Sequence, residues 1–280
     1  MLTRVAELPD RSIRYLEAGG GKTAVVLLHA FPLSAEQWMP QLSRVPPGLR
    51  FIAPDLRGFR GNGPAFEPLD LDGVTMDGYA ADVLSLMTHL EIDKAIVAGV
   101  SMGGYVGFAM LRRAPARIAG LVLANTRSIP DSAEGKAARD RMIALVERER
   151  AAGLAREMLP KLLGATTRQQ QPDLVDVVGH LIEANSTAGL VFALRALKDR
   201  PDSTPLLASI ACPVTIVAGE EDAVIPAAET DAMHRAIVGA ELVRLPRVGH
   251  LSNLEAPAAF SAVLASFAPK TSRPGRPMQE

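Results

Sequence analysis

Lys94-Ala95-Ile96-Val97-Ala98-Gly99-Val100-Ser101-Met102-Gly103-Gly104 is the stretch on which the reading of this chain turns. Its first five residues form a short apolar run, as expected of a strand buried on both faces of a parallel sheet. Residues 102–114 follow a helical pattern. Between the two, Gly99 to Gly103 spell G-x-S-x-G, which places Ser101 on a sharp strand-to-helix turn. Such a turn holds the hydroxyl out above the sheet, and side chains two residues to either side would collide, hence the glycines. The helix N-terminus beside Ser101 favours negative charge developing there. A Gly-Ser loop that merely tightens the turn would carry the same five residues. The flanking strand and helix favour a nucleophile. Serine in this slot points to acyl transfer, whereas an aspartate would suggest an alkyl-enzyme ester, as in dehalogenation or epoxide opening.

Outward from this point, short apolar runs at 24–28, 51–53, 120–124, 214–218 and 241–245 alternate with helical patterns at 76–90, 227–238 and 256–267. That alternation predicts an α/β fold: a mostly parallel central sheet flanked by helices. Runs around Val5 and at 13–16 alternate apolar with polar and suit antiparallel edge strands. Residues 130–205 interrupt the pattern with no strand but four helical stretches, 137–154, 155–163, 174–184 and 187–197. The expected organisation is a core of residues 1–129 and 206–268, a helical lid insertion at 130–205, and a disordered tail at 269–280 carrying Pro274, Gly275 and Pro277.

A nucleophilic serine needs a base, and only five histidines are available: His29, His89, His180, His234 and His250. His89, His180 and His234 fall inside predicted helices, and His29 closes the 24–28 strand. His250 stands in a loop just past the last strand, on the sheet edge where ligands bind in open parallel sheets. The acid should follow another strand on that edge, and Gly219-Glu220-Glu221-Asp222 offers three carboxylates. Asp222 is preferred for the direction of the turn begun at Gly219, with Glu221 as runner-up. Asp222 would hold the imidazole in its productive tautomer and stabilise the imidazolium. A tetrahedral intermediate also requires placed donors. The N–H of Met102 is one, and the N–H of Phe31, in His29-Ala30-Phe31-Pro32 after an early strand, is the second candidate.

The formal net charge of −1 and the absence of a long basic run exclude an electrostatic case for nucleic acid. No apolar stretch approaches the ~20 residues that span a bilayer, and 1–20 lacks a signal-peptide core. Cys212 alone cannot form an internal disulfide and reads as a small buried hydrophobe. A cytoplasmic location is expected. No His, Cys and carboxylate cluster has metal-ligand spacing, so no metal and no cofactor are expected. Gly19-Gly20-Gly21-Lys22-Thr23 is not a phosphate loop, because the first required glycine falls at Leu16 and a strand follows instead of a helix.

These motifs resemble those of the α/β-hydrolase superfamily over essentially the whole ordered chain, from Val5 to Phe267. His29-Ala30-Phe31-Pro32 is similar to the family's HGFP, Pro54-Asp55-Leu56-Arg57-Gly58 to PDLRGxG, Gly99 to Gly104 to G-x-SMGG, and Gly249-His250 to the terminal GH. The resemblance implies the α/β-hydrolase fold, with Ser101 as nucleophile, Asp222 as acid, His250 as base, the Phe31 and Met102 N–H groups as oxyanion donors, and 130–205 as the lid. Ala30 stands where the family has glycine, and Asn62, in Gly61-Asn62-Gly63, where a serine is usual. Within the superfamily the chain looks most like small carboxylesterases and the 3-oxoadipate enol-lactonases.

The leading expectation is therefore a serine hydrolase cleaving esters of short to medium acyl chains through an acyl-enzyme. Its pocket would be built from Phe31, Met102, Trp38 and lid residues such as Leu159, Leu163 and Phe192. An enol-lactonase shares every catalytic residue and wants a cation for the substrate carboxylate, for which Arg127 is the candidate. Peroxide attack on the same acyl-enzyme is a possible side activity. From another class, the fold could serve as a small-molecule receptor with a vestigial triad. The partner in every case is a small molecule.

Overall fold

A computed structural model of the protein describes residues 1–60 and 74–271, with side chains as far as Ser266. Residues 61–63 of the arginine-glycine loop and 272–280 of the expected tail lie outside the described residues. Eight strands form one sheet: β1 (Leu2–Glu7), β2 (Ser12–Gly19), β3 (Thr23–Leu28), β4 (Leu49–Pro54), β5 (Ala95–Val100), β6 (Ile118–Ala124), β7 (Val214–Gly219) and β8 (Glu241–Leu245). Their order is β1-β2-β4-β3-β5-β6-β7-β8. Strands β3 to β8 run parallel, and β2 runs antiparallel to both its neighbours, β1 and β4. The alternating runs near the N-terminus are β1 and β2, yet only β1 is an edge strand, since β2 pairs with β4 on its other side.

Between the strands lie α1 (Met39–Leu42), α2 (Met76–His89), α3 (Met102–Arg113), α4 (Ala133–Leu162), α5 (Ala165–Gln170), α6 (Pro172–Glu183), α7 (Thr187–Lys198), α8 (Ala227–Ala236), α9 (Ser252–Glu255) and α10 (Pro257–Thr271). Helix α10 carries three residues into the segment expected as tail. Helices α4 to α7 stand between β6 and β7. Serine caps start two of them: Ser132 accepts from the Gly135 N–H and Ser186 from the Gly189 N–H. Helix α4 breaks at Arg150 (φ 56°, ψ −160°), four residues before the sequence boundary at 154. Residues 164–171, expected as a connection, contain the short helix α5. Among the described residues, no single helix is long and apolar enough to cross a membrane.

Strand β5 is buried along its whole length, between β3 and β6. Helix α3 lies so close on it that the glycines are obligatory. A Cβ on Gly99 would fall 2.3 Å from the Gly103 carbonyl carbon, and one on Gly103 would fall 2.2 Å from the Leu28 oxygen. The parallel register pairs Gly99 with Leu28 and Leu123, Ala124 with Val217, and Gly219 with Leu245. The carboxyl ends of β3, β5, β6, β7 and β8 therefore lie in line, and the loops after them meet.

His29, at the end of β3, is fully buried and welds the loop after β3 to the loop after β4. Its Nδ1 donates to the Ala30 carbonyl at 3.0 Å, and its Nε2 accepts from the Leu56 N–H at 3.0 Å. Burial disfavours the imidazolium and pulls the His29 pKa below its ordinary value, with the Ala30 hydrogen bond and the nearby Asp55 opposing. The unfolded chain then binds the proton first, so this contribution to stability is complete above about pH 6.5 and is lost as pH falls below it. Denaturation midpoints should drop between pH 7 and 5 with a slope that His29→Gln reduces; an unchanged slope would contradict a neutral His29. Gly103→Ala should cost about 1–3 kcal/mol through overpacking, read as a lower midpoint, because the Leu28 backbone cannot yield as a side chain can. An unaltered midpoint would contradict the close approach.

Candidate active site

Ser101 occupies the turn between β5 and α3 with φ 52° and ψ −111°, a conformation that L residues adopt only under constraint. The constraint is visible. Its N–H donates to the Ala124 oxygen at 2.9 Å, and its carbonyl accepts from the Gly104 N–H and from Thr126 Oγ1, both at 2.9 Å. Helix α3 begins immediately after it, so the Met102 N–H is one of the amides at the helix start that have no intrahelical partner.

His250 arrives from the loop after β8 and is 1% exposed. Its Nδ1 lies 2.9 Å from Asp222 Oδ2 and 3.0 Å from Oδ1. With an ionised carboxylate opposite, Nδ1 must carry the proton, which leaves the lone pair on Nε2. Asp222 also accepts the Val224 and Ile225 N–H groups at 2.8 and 3.0 Å and the Asn125 Nδ2 at 2.9 Å. Burial pushes the Asp222 pKa up, but the electrostatic pull of the His250 ring and these hydrogen bonds outweigh it and hold the carboxyl below its ordinary range. Glu221, the alternative in the same loop, turns away and accepts Thr166 N and Oγ1 at 2.8 and 2.6 Å.

Ser101 and His250 line one small cavity with Phe31, Tyr105, Arg127 and Ile225 from the core and Arg139, Met158, Leu162 and Leu197 from α4 and α7. Its free volume is about 30 Å³. Phe31 sits in a turn fixed by two bonds: the Ala30 N–H donates to Gln37 Oε1 at 2.8 Å and the Leu33 N–H to the Ala30 oxygen at 2.9 Å. Ala30 accommodates this without a left-handed backbone, so the expected glycine is not needed there.

Trp38 does not belong to the site. It is fully buried against Phe260, with ring centroids 5.6 Å apart, because the turn that carries it faces α10 and not the sheet edge. Nor do the expected apolar residues of α4 and α7 line the cavity: the helix face presents Met158 and Leu162 in place of Leu159 and Leu163. Leu159 points toward Gly179 of α6, and the Phe192 ring lies under the Arg195 guanidinium, 5.4 Å away.

Arg127 is in the cavity wall, in company. Its Nη2 meets Asp131 at 2.8 Å and its Nη1 meets Glu229 at 3.2 Å, while Arg139 and Arg200 reach Asp131 at 2.9 and 2.8 Å. Arg139 belongs to no motif and lies on the long, charge-rich helix α4. Asn125 was missed for another reason: it follows β6 in an unremarkable Ala124-Asn125-Thr126, yet it has φ 48° and donates to both Asp222 and the Gly249 oxygen.

A sequence model of the alpha/beta hydrolase family matches residues 25–263. The chain is 26% identical over 253 residues to 3-oxoadipate enol-lactonase 2 of Acinetobacter baylyi, covering 90% of this chain and 91% of that one. Among solved structures it superposes on a thermophilic esterase from Thermogutta terrifontis with TM-score 0.89, at 32% identity, covering 98% of this chain and all of the other. An enol-lactonase from Burkholderia xenovorans gives TM-score 0.85 at 25% identity, over 95% of this chain and all of its own. The strand order, the turn at Ser101 and these likenesses agree: the chain belongs to the alpha/beta hydrolase family.

Proposed function

We propose that the protein is a serine carboxylesterase acting on short to medium acyl esters, with residues 130–205 as its cap. The observation that carries this reading is the meeting of Ser101, on its constrained turn, with a His250 whose Nδ1 is held by Asp222, in one cavity. His250 Nε2 takes the Ser101 proton as Oγ attacks the ester carbonyl, and the imidazolium returns it to the departing alcohol. Water, deprotonated by the same nitrogen, then releases the acid. The oxyanion that forms twice along this path accepts from the Met102 and Phe31 N–H groups, each such donor being worth about 10²–10³ in kcat.

A second reading has an observation of its own. Arg127 and Arg139 both face the cavity, and among the described residues the three guanidinium groups of Arg127, Arg139 and Arg200 share two carboxylates, Asp131 and Glu229. Two guanidinium groups in the cavity wall suit an ester or lactone that carries its own carboxylate. The enol-lactonase relatives agree with it, as does the Thermogutta esterase, which was solved with malate bound.

Ser101→Ala should remove nearly all turnover of a p-nitrophenyl ester series without loss of fold, and Asp222→Asn should lower kcat by roughly four decades; an active Ser101→Ala protein would sink the proposal. The two readings separate on paired substrates, p-nitrophenyl butyrate against mono-p-nitrophenyl succinate and 3-oxoadipate enol-lactone. If the carboxylate-bearing substrates are preferred, Arg139→Gln should cut kcat/KM for them by about 10–100-fold relative to the neutral ester, the value of a charged hydrogen bond. Equal effects on both would leave the neutral carboxylesterase.

A further inference from the structure

Glu255 is 6% exposed and lies in α9, five residues after His250. It meets no cation among the described salt bridges. Three backbone N–H groups compensate its charge instead. Oε1 accepts from Leu251 at 3.0 Å, and Oε2 accepts from both Gly249 and Gly164 at 2.9 Å. Two of these donors are the residues on either side of His250. The third, Gly164, lies at the end of α4, and its backbone runs so close to the histidine loop that a Cβ on Gly249 would fall 2.2 Å from the Gly164 nitrogen.

The neighbours of Glu255 in the same turn reach the rest of the site. Ser252 donates to Asn125 Oδ1 at 2.6 Å, and Asn125 holds Asp222. Asn253 accepts from Gln37 Nε2 at 2.9 Å, and Gln37 fixes Ala30 beside Phe31. One helical turn thus reaches the acid through Asn125, the oxyanion loop through Gln37, and both flanks of the base directly. An ordinary loop staple would explain one of these contacts. It does not explain why a buried carboxylate is spent on the two amides that bracket the imidazole.

We propose that Glu255 is a positioning residue for His250. Its two oxygens fix the peptide planes of Gly249 and Leu251, and so the direction in which the ring presents Nε2 to Ser101, while the bond to Gly164 ties that setting to the helices above the cavity. A carboxylate is required because three N–H donors need acceptors on both oxygens. The amide of a glutamine would turn an N–H₂ toward at least one of them. The inference rests on the catalytic reading of His250 given above.

The test is a double-mutant cycle between E255Q and H250A, assayed on p-nitrophenyl butyrate with thermal unfolding as the control for fold. In the parent background E255Q should lower kcat about 100-fold, the effect of a misplacement of about 1 Å, with KM changed less. In the H250A background E255Q should cost less than about twofold, the scatter of independent sites, since there is no base left to position. Unimpaired kcat in E255Q, or the same loss with and without His250, overturns the proposal. If E255Q does not fold, Glu255→Asp, which keeps the charge but shortens its reach, enters the same cycle under the same two criteria. An H250A protein as active as the parent overturns the functional reading, and this inference with it. A crippled H250A beside an unimpaired Glu255 variant overturns this inference alone.

Discussion

The close approach of α3 to β5 is the constraint on which the rest of this structure depends. With glycine at 99 and 103 the helix can begin directly against the Leu28 carbonyl, and the chain must reverse within the residue between Val100 and Met102. That forces Ser101 to φ 52°, at a cost of order 1–3 kcal/mol for a non-glycine residue. Bonds to Ala124, Gly104 and Thr126 hold it there. The outcome is a hydroxyl raised at the carboxyl edge of the sheet beside unpaired helix amides. Phe31 and His250 line the same cavity as that hydroxyl.

The groups that meet Ser101 come from loops far apart in the chain, and buried polar bonds set their mutual geometry. His29 joins the β3 and β4 loops, Asn125 joins those after β6, β7 and β8, and Gln37 with Asn253 joins the Phe31 turn to the histidine loop. Such groups are costly to bury unless satisfied, at about 1–3 kcal/mol for each orphan. A displaced loop would therefore break several bonds at once. The site gains a fixed geometry from interactions whose net contribution to stability is modest.

The core of this arrangement was legible in the sequence because it is local. A buried apolar run, two glycines and a serine at fixed offsets describe a strand–turn–helix with no long-range information, and the alternation around it describes a parallel sheet. His250 and Asp222 follow from the rule that loops at one sheet edge meet. What could not be read depends on helix rotation and packing. Trp38 looked available and is core, because nothing local states which face of a four-residue turn is buried. Met158 and Leu162, not Leu159 and Leu163, face the cavity, a difference of one residue on a helix that breaks at Arg150. Asn125, Arg139 and Glu255 belong to no motif; Asn125 meets Asp222 97 residues away, and Glu255 meets Gly164 91 residues away.

The central claim is that acyl transfer passes through a covalent bond to Ser101, made by a His250 that Asp222 keeps in one tautomer. The most direct measurement is mass spectrometry of the protein quenched early in turnover of p-nitrophenyl acetate, followed by peptide mapping. The account predicts one added acetyl group on the peptide containing Ser101, forming much more slowly when His250 is alanine and absent when Ser101 is alanine. Turnover with no adduct, or an adduct on another residue that persists in Ser101→Ala, would contradict it.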